Sequence, residues 1–223
     1  METIYFVGGS KGGVGKSMVT MALLDYLKTS REPMLIETDT SNPDVEKCYR
    51  NELQTVSIGL DDGDGWIELI NKADAFKGPV VVNTAARNNT GVSSYGETLR
   101  GALGDMKRKF VTLWVINRQR DSLELLKQYL ETFPTFTVHV VRNTYFGAES
   151  KFELYNSSAL RKQIEEAGGL SLNFPEVADR VSDDLYTKRL SIAKANVELP
   201  IGNRAELSRW RSETAKIFAQ VVK

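Results

Sequence analysis

At 223 residues, 41% of them apolar and 26% charged, the chain is long enough to bury a full core and has the make-up of an ordinary globular protein. Its 29 lysines and arginines balance 29 aspartates and glutamates, so no bulk charge draws it to nucleic acid or to a membrane surface. One cysteine, Cys48, excludes an internal disulfide, and one cysteine with one histidine leaves no zinc cluster. No apolar run approaches the length that crosses a bilayer. The N-terminus runs straight into a strand without a signal peptide, and the expectation is a single cytoplasmic domain over residues 1–223.

The first element is an apolar run, Ile4 to Val7, read as a buried strand. After it comes Lys11-Gly12-Gly13-Val14-Gly15-Lys16-Ser17, and then Met18 to Lys28, in which Val19, Ala22, Leu23, Tyr26 and Leu27 recur at helical spacing. Strand, glycine loop and helix form the context of a phosphate-binding loop. The glycines let the backbone wrap closely and turn its N–H groups inward, and the helix start adds unpaired N–H groups and the positive end of its dipole. In such a loop Lys16 reaches the β- and γ-phosphates, and the Ser17 hydroxyl ligates Mg²⁺.

Pro33 to Ile36 reads as a second strand, ending in the polar loop Glu37-Thr38-Asp39-Thr40-Ser41-Asn42-Pro43-Asp44. Such a loop at a strand's C-terminal end is where open α/β sheets bind ligands. Residues 45–75 read as peripheral, with Asp61 to Gly65 a turn before a helix from Trp66 to Lys72. A calcium loop there lacks its third oxygen ligand, because Trp66 stands in that place. Pro79 to Asn83 is the third strand, Ser93 to Lys109 a helix, and Phe110 to Ile116 another strand. Asp121-Ser122-Leu123-Glu124 has the spacing of a capping box. Phe136 to Val141 is a further strand that runs into Arg142-Asn143, with His139 on a strand face. Tyr145 to Tyr155 has no clear period and reads as an insertion or lid. Ser157 or Ser158 caps a helix that stops at Gly168-Gly169; Leu170 to Phe174 is the last strand, and Pro175 opens a short helix. Asn203 to Glu206 reads as a capping box before a final helix with Leu207, Trp210, Ile217, Phe218 and Val221 inward. The order of elements predicts an α/β fold, a doubly wound and mostly parallel twisted sheet with helices on both faces.

The heptapeptide 11–17 resembles the deviant Walker A loop of the ParA/MinD ATPases, in which a second lysine opens the motif and Ser10 takes the place of the usual glycine. The look is closest to short plasmid ParA-like and TraL-like proteins. The resemblance implies Mg²⁺-dependent ATP binding and hydrolysis, with ATP joining two subunits into a homodimer and hydrolysis to ADP parting them. Lys11 takes the role of the signature lysine that reaches the partner's phosphates. The backbone of Gly12, Gly13, Val14, Gly15, Lys16, Ser17 and Met18 cradles the nucleotide. Asp39 best fits the residue that positions the attacking water and the metal's water shell; Glu37 stands where many relatives have a first acidic residue, and Asp44 is a weaker fit. Asn143 falls where relatives recognise adenine, and Phe174, Pro175 and Glu176 fall in the loop beside the base. Asn83 is the main departure: relatives end this strand in an aspartate that holds a metal-bound water, whereas Asn83 is uncharged, which implies a slow ATPase with nucleotide binding intact.

The implied work is plasmid or chromosome partitioning, or plasmid mobilisation and conjugation, through an adaptor or DNA-binding protein. Weak non-specific DNA contact would fall to Arg204, Arg209, Arg211 and Lys216, with Lys188 and Arg189. The weakly basic C-terminus gives no membrane-targeting helix, and an iron–sulfur role fails for want of cysteines. A metabolic ATP-dependent enzyme of the same fold and a nucleotide-dependent scaffold with little hydrolysis stay open.

Overall fold

The computed structural model describes residues 2–9, 12–86 and 89–222. Seven strands form one sheet in which every pairing is parallel. They are β1 (Thr3–Gly9), β2 (Met34–Glu37), β3 (Thr55–Ser57), β4 (Val80–Asn83), β5 (Lys109–Ile116), β6 (Thr137–Asn143) and β7 (Ser171–Phe174), in the spatial order β3-β2-β4-β1-β5-β6-β7. The helices are α1 (Lys16–Leu27), α2 (Asp44–Tyr49), α3 (Gly63–Ala75), α4 (Asn89–Met106), α5 (Arg120–Thr132), α6 (Glu153–Asn156), α7 (Ala159–Glu166), α8 (Asp179–Thr187), α9 (Ile192–Glu198) and α10 (Ile201–Phe218).

The inner strands read as unbroken apolar runs because both faces of the sheet are covered, and alternate side chains enter opposite cores. Tyr5, Val7, Leu35, Val81 and Val115 enter the core shared with α1, α2, α8, α9 and α10. Ile4, Phe6, Ile36, Val82 and Trp114 enter the core shared with α3, α4, α5, α6 and α7. The chain leaves β1 for β2 on one side and later β5 on the other, so the order reverses at β1. A crevice opens there, beyond the C-terminal ends of β1 and β4.

Some boundaries differ from the sequence reading. The stretch 45–75 holds α2 and the edge strand β3, whose short, half-exposed Thr-Val-Ser carries too little apolar pattern to announce itself. Helix α3 starts at Gly63, earlier than expected; the Asp62 carboxylate caps it by accepting from the Gly65 N–H at 3.0 Å, and two glycines in the first turn hide the start. Helix α4 is displaced toward the N-terminus and ends before Lys107, a non-glycine at φ 51°. Neither expected capping box forms. Helix α5 begins at Arg120, and the Asn117 side-chain oxygen accepts the Gln119 N–H and the Ser122 hydroxyl in place of a cap by Asp121. Helix α10 begins right after Pro200, so Asn203 lies inside it and donates to Asp184 at 2.8 Å. Pro175 stands in an extended link, and α8 opens only at Asp179. The segment 145–155 is anchored by Phe152 and Tyr155, which are buried in the second core, while Tyr145 and Leu154 are exposed.

Candidate functional site

The crevice is lined from the loop between β1 and α1, the ends of β2 and β4, and the links after β6 and β7. Ser10 and Lys11 lie outside the described residues, so the expected role of Lys11 is carried forward from the sequence alone. From Gly12 onward the loop has the backbone that the motif requires. Gly13 has φ 78° and Gly15 has φ 102°, left-handed values that side chains rarely adopt. Gly15 is the N-cap of α1, so the first helical N–H groups and the dipole's positive end face the crevice. Val14 between them is buried and anchors the loop.

A polar chamber of about 360 Å³ is lined by Gly12, Gly13, Gly15, Lys16, Ser17, Asp39 and Asn83, with Asn42, Asp44, Thr84, Ala86 and Tyr186 completing it. It shares Gly13, Gly15 and Tyr186 with a second chamber of about 190 Å³ lined by Met18, Asn143, Tyr145, Phe174, Pro175 and Glu176 among others. The fold therefore brings the expected phosphate-side residues and the expected base-side residues into adjoining rooms. Lys16 is only 7% exposed, and burial lowers its pKa to about 8, against a smaller opposing pull from the Asp39 carboxylate. A lysine so desolvated gains by meeting an anion.

The acids at the end of β2 divide. Asp39 faces the polar chamber, with its Oδ1 accepting the Asn42 N–H at 3.0 Å. Glu37 is fully buried behind it. Parallel register sets Glu37 beside Asn83, and the Asn83 side-chain nitrogen lies 3.0 Å from both Glu37 carboxylate oxygens. The Asp39 N–H also donates to Glu37 Oε1 at 3.0 Å. Burial raises the Glu37 pKa to about 7; these donors hold it from going higher. On the other side of the amide, Asn83 Oδ1 accepts from the Thr20 hydroxyl of α1 at 2.9 Å. Asn83 thus has its amide committed to Glu37 and one lone pair committed to Thr20. Sequence reasoning noted both residues but missed their pairing; the cue was that each ends a strand destined to lie side by side.

Among the described residues no group of three or more His, Cys, Asp or Glu side chains stands ready to hold a metal. The chamber offers instead the Ser17 hydroxyl and the Asp39 carboxylate, hard oxygen donors that suit Mg²⁺ when phosphate oxygens and waters supply the other ligands. Three of the six cations expected to meet DNA form ion pairs within the molecule. Arg209 pairs with Glu206 and Glu213, Arg211 with Asp25 at 2.8 Å, and Lys188 with Asp184 at 2.7 Å.

No family model matches the chain. It is 61% identical over 223 residues to Protein MobD of Acidithiobacillus ferrooxidans, covering 99% of this chain and 98% of that protein. The chain belongs to the MobD family. Protein TraL of Escherichia coli is a distant relative, 27% identical over 160 residues that cover 66% of this chain and 65% of TraL. Among solved structures, a Borrelia burgdorferi protein described as a plasmid partition protein, bound to AMPPNP, superposes with TM-score 0.60 at 12% identity over 100% of both chains. The septum site-determining protein MinD of Pyrococcus horikoshii, complexed with Mg-ADP, gives TM-score 0.56 at 14% identity over 100% of both. The fold of this MobD relative is that of the ParA/MinD-type P-loop ATPases. No helix among its described residues is long and apolar enough to cross a membrane.

Proposed function

We propose that this MobD relative is a Mg²⁺-dependent ATP-binding and ATP-hydrolysing dimerisation switch, working in plasmid mobilisation or partition. The observation that carries the reading is the pair of adjoining chambers: left-handed Gly13 and Gly15, Lys16, Ser17 and Asp39 around the first, Met18, Asn143 and Pro175 around the second. Their sizes and chemistry suit a polyphosphate and a flat base in that order.

In this reading the loop N–H groups and Lys16 hold the β- and γ-phosphates, and Ser17 holds Mg²⁺, which would neutralise phosphate charge. Asp39 orients the water for in-line attack on the γ-phosphate, and Lys16 meets the charge that develops there. Toward water around the metal, Asn83 would offer only its remaining lone pair, as a neutral acceptor. Lys11 reaches the partner subunit's phosphates, so ATP joins two copies and hydrolysis releases them. The pairing of Arg209, Arg211 and Lys188 with neighbouring acids favours an adaptor protein over direct DNA contact. A second reading, a nucleotide-dependent scaffold that hydrolyses little, is favoured by the engagement of Asn83 with Glu37.

Nucleotide affinity, turnover and mass by light scattering test these readings together. Asp39→Ala is expected to keep ATP bound through gel filtration while turnover falls about 100-fold or more. Lys11→Ala is expected to bind ATP but to stay monomeric. Wild-type turnover by Asp39→Ala removes Asp39 from the water-positioning role. An ATP-dependent dimer of Lys11→Ala removes the signature-lysine assignment. A native protein that dimerises with ATP yet shows no turnover selects the scaffold.

A further inference from the structure

Asn143 is assigned above to the base. Its observed bonds point to the phosphate loop. It ends β6, is 8% exposed, and its side-chain nitrogen donates to the Val14 carbonyl at 2.9 Å across 129 residues of sequence. Its side-chain oxygen accepts the Tyr145 N–H at 3.1 Å. Only this orientation of the amide serves both neighbours, since a carbonyl needs a donor and an N–H needs an acceptor. The packing is close as well: a Cβ on Gly15 would collide with the Asn143 side-chain nitrogen, so the loop passes against Asn143 at a residue without a side chain.

The Val14–Gly15 peptide is planar, so its carbonyl and the Gly15 N–H point in opposite directions. Fixing the Val14 carbonyl on Asn143 therefore fixes the direction of the Gly15 N–H, in a residue that lines both chambers and opens α1. We infer that Asn143 is a positioning residue for the phosphate-binding loop, a strut from β6 that holds residues 14 and 15 in their anion-binding shape before any ligand arrives. One N–H and one lone pair remain on its amide, enough to read a base as well. Without the strut, the Val14 carbonyl loses its buried partner, and the loop must be ordered at the expense of binding.

This inference rests on the nucleotide reading, and inorganic tripolyphosphate separates the two because it has phosphates and no base. If Asn143 holds the loop, Asn143→Ala weakens tripolyphosphate binding about 3- to 10-fold, the worth of one hydrogen bond, and Asn143→Asp weakens it at least as much because its carboxylate also repels the anion. Asn143→Asp retains the volume and the acceptor for the Tyr145 N–H, so it keeps the fold while losing the donor. Tyr145→Ala, altering only the base chamber, is expected to weaken ATP and leave tripolyphosphate unchanged. Hydrogen exchange in the ligand-free full-length protein supplies a second measure: amides 14–17 exchange faster in both Asn143 variants. Native tripolyphosphate affinity together with native exchange in these variants would overturn the strut. A native protein that binds neither ATP nor tripolyphosphate overturns the nucleotide reading, and the exchange measurement still decides the strut.

Discussion

The two walls of the polar chamber are built in different ways. The phosphate wall is one continuous stretch, Gly12 to Ser17, whose geometry follows from local chemistry: left-handed glycines, then a helix start. The wall opposite is assembled from β2 and β4, and its buried contact joins Glu37 to Asn83 across 46 residues of sequence. On the first wall a residue's type nearly determines its part. On the second, charge belongs to the pair: an amide ends one strand and a carboxylate ends its neighbour, side by side in register. A wall of that kind is altered by moving the charge, whereas the first is altered only by removing it.

The sharpest break is expected on the phosphate wall. Lys16→Ala removes the cation that burial already holds near a pKa of about 8. At pH 7 the ammonium is still charged, and charge-assisted hydrogen bonds to phosphate are worth about 1.5–3 kcal/mol. ATP affinity should therefore fall about 10- to 100-fold, with little change in melting temperature, measured by calorimetric titration beside a thermal scan. An unchanged affinity would place the phosphates elsewhere.

The opposing wall should respond to relocation. Asn83→Asp sets a second carboxylate against Glu37, trading a bidentate hydrogen bond for like charges in a buried place. The expected cost is about 1–3 kcal/mol of stability at pH 8, growing with pH as the second proton leaves. Adding Glu37→Gln is expected to recover most of it, because the glutamine amide donates to the new carboxylate, which still accepts from Thr20. In the double variant the charge stands on β4, and turnover is expected to change more than nucleotide affinity. Denaturant melts of the native protein, both single variants and the double one yield the coupling directly. Additive effects would mean that the two side chains act independently.

The same contrast explains what could be read from the chain. The phosphate loop, the inner strands and the order of elements were legible because each rests on a contiguous pattern, such as the apolar runs of β1, β4 and β5 buried on both faces. Helix α2, strand β3 and the true start of α3 were not, since short or glycine-rich segments take their structure from tertiary packing, while α5 and α10 begin ahead of the cap spacings that the sequence suggests. At the site, Asp39 and Asn143 were recognised as residues, but their surroundings were not. That Glu37 sits behind Asp39, and that Asn143 grips Val14, depends on which strand ends become neighbours, and no local pattern encodes it. The cations near the C-terminus were visible too, while the acids that pair with Arg211, Lys188 and Arg209 lie on α1, α8 and α10.

The smallest expected effect is a slope. Glu37 has its pKa raised by burial from 4.5 to about 7 in the folded protein. Below pH 4.5 the group is protonated whether the chain is folded or not, and it adds no pH dependence. Between 4.5 and 7 the unfolded chain releases a proton that the folded chain keeps, so folding becomes less favourable as pH rises. Above about 7 both states are ionised and the penalty levels off. A single proton limits the slope to about 1.4 kcal/mol per pH unit, and the donors from Asn83 and the Asp39 N–H limit how far up in pH the fall extends. Glu37→Gln removes the titrating group, so ligand-free melts of the variant should lose this fall between pH 4.5 and 7 whatever its absolute stability. Asn83 can turn its amide so that its oxygen meets the new donor, with the Thr20 hydroxyl accepting on the other side, and so the variant has a route to a satisfied interior. Only the difference in slope is diagnostic. Parallel curves for the native protein and Glu37→Gln would show that Glu37 is ionised throughout, making the β2 carboxylate a permanent charge behind Asp39.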